Sequence, residues 1–298
     1  MKCSLKDVQQ MMERHGVPGR NLYDLPPSTL TFPDGAHYRH EASGISTAAL
    51  LEALIKECGR RSVVVHRVIF GMKGSADRLT PGELREVAAM AREGRIELII
   101  EHGIGAKTDV GSHFHTEQGI LAGVRPRGSD QLSYAIMNML RAVEAGIRGF
   151  LFRCEGQLWL ANKMRAAGDL PEDAVFKVSY DCGHANPAGA RLLQEIGADS
   201  FNPITDLDLP MLAAMRQTIQ VPMDLVVFGW PGLGGIKRAW SAPEMIRVAS
   251  PCYLKQELFE DPLTQARNCE LLAEIVERTY PELRASQAGA ADLRVPKA

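Results

Sequence analysis

The sequence predicts an α/β protein, a single (β/α)8 TIM barrel with a short N-terminal helical extension. Three observations carry this. First, a two-beat unit recurs: a helix closed by glycine, then a short apolar strand ending in polar residues. Its clearest copies are Leu140-Arg141-Ala142-Val143-Glu144-Ala145-Gly146 running into Gly149-Phe150-Leu151-Phe152-Arg153, and Leu192-Leu193-Gln194-Glu195-Ile196-Gly197 running into Ala198-Asp199-Ser200-Phe201-Asn202. Second, the unit counts out eight times in strict order, and 298 residues suit one such barrel of about 250 residues with additions. Third, no G-x-G-x-x-G follows the first strand, as an open dinucleotide-binding sheet would require. Glycine ends helices because it accepts positive φ without a Cβ clash, and a strand covered by helices reads as a continuous apolar run.

Residues 1–36 form the extension: an amphipathic helix over 5–15, a Pro-rich connection at 24–28 and a turn at 33–35. The barrel domain spans 37–284. Its first strand is 37–43 and its first helix 46–58, with Ser46 or Thr47 as N-cap. Strand two is 62–70. The next helix opens at Thr80-Pro81-Gly82-Glu83, which joins an N-cap threonine, proline at the first helical position and a capping-box glutamate. Strand three, 96–102, leads into a long insertion, 103–128, of the length that functional loops have. Ser129-Asp130 opens the following helix. Strand four is 149–153 with a helix at 157–167, and strand five is 174–181 with Asn186-Pro187 capping the helix after it. Strand six, 199–202, precedes a helix at 208–218. Strand seven, 222–228, precedes the Gly-rich stretch 230–235 and a helix at 243–248. Strand eight, 251–255, is closed by a helix at 261–280, and residues 285–298 read as a loose tail.

A 45% hydrophobic composition supplies a large core, and a formal net charge of -2 gives no basic field for nucleic acid. No apolar run is long enough for a membrane span, and residues 1–8 carry no signal-peptide core, so a cytoplasmic location is expected. The six cysteines, at 3, 58, 154, 182, 252 and 269, include no C-x-x-C pair and suggest reduced thiols. The expected partner is a small-molecule substrate, with neither nucleic acid nor membrane; a homo-oligomer is left open.

Period-two alternation selects the side chains that enter the barrel. It places Arg39 and Glu41 inward on strand one, Glu97 and Glu101 on strand three, and Arg153 and Glu155 on strand four. Lys177, Ser179 and Asp181 face inward on strand five, opposite Phe176, Val178 and Tyr180. Asn202, Asp224, Lys255 and Glu257 follow on strands six to eight, while strand two is undecided between His66 and Arg67. One reading is a compensated ion network inside the core. The other is a rim of paired acids and bases suited to proton transfer or metal binding.

On the second reading the catalytic candidates are Glu41, Glu101, Glu155, Asp181, His184 and Lys255. Asp181 at a strand tip and His184 in the next loop could form a base-and-orienter pair, or join Glu155 as ligands of a divalent metal (Zn, Mn, Mg or Fe). No nucleotide-cofactor motif is present. Arg67, Arg153 and Asn202 are candidates for holding substrate, and Arg67, Arg153 and Lys255 would hold its carboxylate or phosphate through charge-assisted hydrogen bonds. Trp230 and Gly234 belong to a loop whose amides could approach an anion. Lys177 and Lys255 also admit Schiff-base formation if either pKa is depressed. His113 and His115 lie in the insertion, as ligands or as a solvated loop.

The turns Glu144-Ala145-Gly146-Ile147-Arg148-Gly149 and Ile196-Gly197-Ala198-Asp199-Ser200-Phe201, with Val221-Pro222-Met223-Asp224-Leu225-Val226-Val227-Phe228-Gly229, give residues 130–257 a resemblance. This stretch resembles the barrel part of the collagenase-like peptidase family of unassigned catalytic type, the U-thirty-two peptidases. The resemblance implies a barrel, and it supplies an alternative function as a peptidase-like hydrolase or an RNA- or cofactor-modification factor. Where that family carries a glutamate-to-histidine-glycine-cysteine signature, this chain has Gly229-Trp230-Pro231, and its scattered cysteines do not reproduce a four-cysteine iron–sulfur set. The leading expectation is therefore an enzyme acting by acid–base chemistry, with or without a divalent metal, on a small polar, anionic metabolite. Its step would be that of a lyase, isomerase or hydrolase. A non-catalytic barrel serving as a binding module is the third reading.

Overall fold

Eight parallel strands close into a ring in sequence order, each paired with its neighbours in the chain and β8 with β1. A computed structural model describes residues 4–71, 78–102, 116, 124–258 and 261–298. The strands are β1 (Tyr38–Ile45), β2 (Arg67–Phe70), β3 (Glu97–Glu101), β4 (Gly149–Phe152), β5 (Val175–Val178), β6 (Ser200–Phe201), β7 (Met223–Gly229) and β8 (Cys252–Glu257). Helix α1 (Leu5–Arg14) precedes them. Between and after them come α2 (Ala48–Arg61), α3 (Pro81–Glu93), α4 (Gly128–Glu144), α5 (Glu155–Ala167), α6 (Pro187–Glu195), α7 (Leu209–Thr218), α8 (Ala242–Ala249) and α9 (Pro262–Thr279). This is the (β/α)8 barrel with a short N-terminal helix that the sequence predicts.

The helix starts follow from local chemistry. Thr80 and Glu83 form a reciprocal capping box ahead of Pro81, while Thr47, Asn186 and Asp208 each accept a backbone N–H of the first turn. Two strands are shorter than alternation suggests. Ser62 takes a left-handed conformation at the end of α2, and β2 begins only at Arg67. β5 stops at Val178 because Ser179 caps a 3-10 turn over Tyr180–Cys182.

The outward faces of the strands are apolar and pack beneath the helices: Val68, Phe70, Leu98, Ile100, Phe150, Phe152, Phe176 and Val178 are all buried in one cluster. Each such side chain contributes about 1.5–3 kcal/mol on burial. Inside the ring the apolar content is small, with Ile69, Ile99 and Leu151 touching Val175. The remainder of the interior is polar and charged.

Residues 285–298, expected to be loose, are instead tied across the N-terminal end of the barrel. Asp292 accepts two hydrogen bonds from Arg39, at 2.6 and 2.9 Å, and Ser286 Oγ accepts a third at 2.8 Å. The Arg294 amide donates to Glu97, and the Lys297 amide to the Gly146 carbonyl. Gly146 has φ +91, and a Cβ there would collide with the Lys297 carbonyl, so glycine serves both the helix end and the tail's close approach. Polar composition makes the tail read as solvated; buried Arg39 supplies the counter-charge that orders it.

Among the described residues three histidines are buried, and burial lowers each one's pKa: His40 and His102 to about 3, His66 to about 4. His66 Nδ1 accepts from the His40 amide, which fixes the proton on Nε2, where it is donated to the Ser286 carbonyl. An unfolded histidine titrates near 6.5. The unfolded chain therefore binds more protons below that pH, and the stability present above it is lost as pH falls. Denaturant unfolding should show stability dropping from about pH 7 to about pH 5, with the slope near pH 5 reduced by about one proton in His102→Gln. An unchanged slope in that variant would contradict the assignment.

Candidate active site at the C-terminal mouth of the barrel

The strand register stacks the interior in layers contributed by alternate strands. Glu41, Ile99, Lys177 and Asp224 form the middle layer. Arg67, Ser200 and Tyr253 lie one layer towards the N-terminal end, and Ile69, Leu151, Asn202 and Lys255 one layer towards the mouth. Above these, Ser43, Glu101, Arg153, Ser179 and Glu257 reach the mouth itself.

The middle layer is a sealed ion network. Lys177, fully buried, contacts Asp224 and lies 3.1 Å from Glu41. Arg67 reaches Glu97 at 2.5 Å, Asp224 at 3.2 Å, Ser200 at 2.9 Å and Glu41 at 3.4 Å, with its guanidinium over the Tyr253 ring. Burial pushes the Glu41 carboxyl up, aided by Asp224, against the pull of Lys177, Lys255 and Arg67. Burial likewise pulls Lys177 down, with Lys255 and Arg67 adding to it against Asp224 and Glu41. The carboxyl moves up and the amine moves down for one cause, the burial they share.

At the mouth the central group is Lys255. Its Nζ lies 2.6 Å from Glu257, donates to Asn202 Oδ1 at 3.0 Å, and sits 5.2 Å from the centre of the Tyr180 ring. Burial opposes its charge, but Glu257 and Glu41 more than offset that, so its pKa is raised. The Tyr180 phenol is raised by burial and then by Glu257. Ser43 Oγ donates to Glu257 at 3.2 Å. Beside this group Arg153 bridges Glu101 at 2.5 Å and Asp181 at 2.8 Å. Burial opposes the Arg153 charge as well, and these two carboxylates outweigh it and raise the pKa.

The candidates drawn from the sequence therefore separate. Lys255, Asn202, Glu101, Arg153 and Asp181 do converge on the mouth. Glu41 and Arg67 point inward as alternation requires but are closed beneath the mouth layer, so neither can touch substrate there. Glu155 does not enter the barrel: β4 ends at Phe152 and Glu155 is the first residue of α5, outside the ring, where it pairs with Arg125 and His184. The Glu155–His184 contact is 2.9 Å. Burial acts to raise the Glu155 pKa, but hydrogen bonds from Arg125 and His184 bring it below the usual carboxylate value.

Because Asp181 is engaged by Arg153 and Glu155 by Arg125, the set Glu155, Asp181 and His184 is not assembled as ligands. Among the described residues no three His, Cys, Asp or Glu side chains are grouped to hold an ion. In the loop after β7, Gly234 and Gly235 donate their amides to Pro231 and Trp230 at a 3-10 turn, so they do not form an anion cradle. Trp230 is 39% exposed and leans over Gly232. His102 is buried under α5, near Gln157 and the Phe152 ring. The insertion with His113 and His115 lies outside the described residues.

Two mouth residues are missing from the candidates that the sequence supplies. Glu257 shares a face with Lys255 two residues earlier, a signal present in the alternation. Tyr180 falls on the outward face only if β5 runs on to Asp181; the 3-10 turn rotates its ring towards Lys255 instead. Among the described residues no helix is long and apolar enough to cross a membrane.

No protein-family model matches the sequence, and no curated protein matches it. Solved structures do share the fold. A dihydrodipicolinate synthase is similar at 12% identity, with a TM-score of 0.50 over 83% of this chain and 78% of that one. The YdjI aldolase from Escherichia coli K12 is similar at 12% identity, with a TM-score of 0.47 over 81% and 90%. The U32 peptidase Mk0906 is similar at 13% identity, with a TM-score of 0.43 over 84% and 83%. At these identities the likeness shows the TIM-barrel fold alone.

Lys177→Met removes the cation between Asp224 and Glu41 and should lower unfolding free energy by about 3–5 kcal/mol, since an uncompensated buried charge remains. Denaturant titration measures it; a neutral substitution would show that the network is not held by this pair.

Proposed function

We infer that this chain is a TIM-barrel enzyme that moves protons on a small polar, anionic metabolite at the C-terminal mouth, in a lyase or isomerase step. The observation that carries the reading is the group formed by Lys255, Glu257 and Tyr180: a buried cation, a carboxylate and an un-ionised phenol at one end of the barrel. Barrels of this kind place their chemistry at that end.

Lys255, with its raised pKa, stays protonated at neutral pH. It therefore suits a role as a fixed positive charge against a carbonyl or carboxylate oxygen on which negative charge develops. For the same reason the amine is poorly disposed to act as a nucleophile, which favours non-covalent catalysis over a Schiff base. Glu257 is the proton acceptor beside it and Tyr180 the donor, each within reach of a substrate atom held at Lys255. Asn202 and Ser43 orient these groups through hydrogen bonds to Lys255 and Glu257. Arg153, bridging Glu101 and Asp181, keeps its planar donor fork at the rim.

Exchange in deuterium oxide reads this chemistry whatever the product. A panel of small oxo-acids and sugar phosphates, followed by proton NMR, should contain a compound that loses a C–H next to its carbonyl. Lys255→Met and Glu257→Gln should slow that exchange by about 10²–10⁴-fold, the usual share of one positioned acid or base. If no compound exchanges, or if both variants exchange like the parent protein, the reading is wrong.

A further inference from the structure

The N-terminal end of the barrel holds a cavity of about 360 Å³, away from the mouth, between the first strand residues, the segment near Phe32 and the C-terminal tail. This end of a TIM barrel ordinarily serves stability. Here its walls are charged, and the charges are unevenly used. Among the acids, Asp292 is held by Arg39, Asp199 by Arg165, Asp173 by Arg148 and Lys297, and Glu97 by Arg67 and the Arg294 amide. Glu172 is exposed on the outer lip.

The donors are less fully engaged. Arg67 is 3% exposed and lines the cavity, yet only its Nε and Nη1 find acceptors; Nη2 has no partner among the described residues. Tyr253, 2% exposed, accepts a hydrogen bond from Arg39 at 3.3 Å, and its own O–H has no acceptor among the described residues. The half-buried Arg294 guanidinium on the tail also lines the cavity without an acceptor there. All three residues line the cavity, and two of them are cations.

We propose that this cavity is a binding site for a small oxyanion, a phosphate or short carboxylate group, held by Arg67 Nη2, the Tyr253 hydroxyl and the Arg294 guanidinium. Of the enclosed wall acids, Asp292, Asp199 and Asp173 each have a cation of their own, and Glu97 is held by Arg67 and the Arg294 amide. The volume suits a small metabolite rather than a bare ion alone. Arg294 is on the tail, so the bound anion would also fasten residues 285–298 to the barrel. The site is separate from the mouth and does not depend on the reaction inferred for it.

Titration calorimetry with inorganic phosphate and, separately, with malonate tests this. Binding of either probe is expected, and which one binds tells phosphoryl from carboxylate ligands. Arg294→Ala and Tyr253→Phe should each weaken it at least about tenfold, the size of a lost charge-assisted or buried hydrogen bond. Lys255→Met, altered at the mouth, should bind like the parent protein. Neither probe binding, or binding unaffected by Arg294→Ala and Tyr253→Phe, or binding lost in Lys255→Met alone, would each overturn the proposal.

Discussion

Burying charge inside a closed ring is the constraint on which this structure depends. Arg67, Lys177, Glu41 and Asp224 occupy positions that an ordinary barrel fills with valine, isoleucine and leucine. Each charge would be expensive alone, and the arrangement holds because both carboxylates meet Lys177 and Arg67. That requirement fixes the register of β1, β5 and β7 more tightly than apolar packing would, since a one-residue slip turns every partner to the opposite face. Lys255 stands on this platform, 4.0 Å from Glu41, and its high proton affinity depends in part on the carboxylate beneath it.

The two ends of the barrel use charge differently. Towards the mouth, Lys255 and Tyr180, both with raised pKa, stand beside Glu257 and Asn202. Towards the other end, Arg39 pairs with Asp292 of the tail and lies with its guanidinium 3.9 Å from the centre of the Phe32 ring. Arg67 touches both regions, lining the cavity while holding Glu41 and Asp224.

The fold is legible in the sequence because helix ends, caps and apolar strand runs are local signals that agree with one another. The inward set is legible for the same reason: alternation correctly selects Arg39, Glu41, Glu97, Lys177, Asn202, Asp224, Lys255 and Glu257. What alternation does not reveal is where each strand stops. Glu155 and Tyr180 are misassigned by it because β4 and β5 end early, at Phe152 and Val178, and a period of two has no meaning beyond the last ladder hydrogen bond. Depth is equally hidden. Glu41 and Lys255 pair in register and look equivalent in sequence, yet only Lys255 belongs to the layer facing the mouth. The tail's role is invisible because Asp292 and its partner, Arg39, are 253 positions apart.

The pairing pattern bears on how such a chain can fold. The strands β1 to β3 carry Arg39, Glu41, Arg67, Glu97 and Glu101, and β5 to β8 carry Lys177, Asp224, Lys255 and Glu257. Yet Arg67–Asp224, Lys177–Glu41 and Lys255–Glu41 all run from one half to the other. A half standing alone would leave these groups hydrated, and dehydrating them becomes tolerable only when both halves arrive. These pairs thus tie the two halves of the ring to each other, and the interior is completed only where both halves meet.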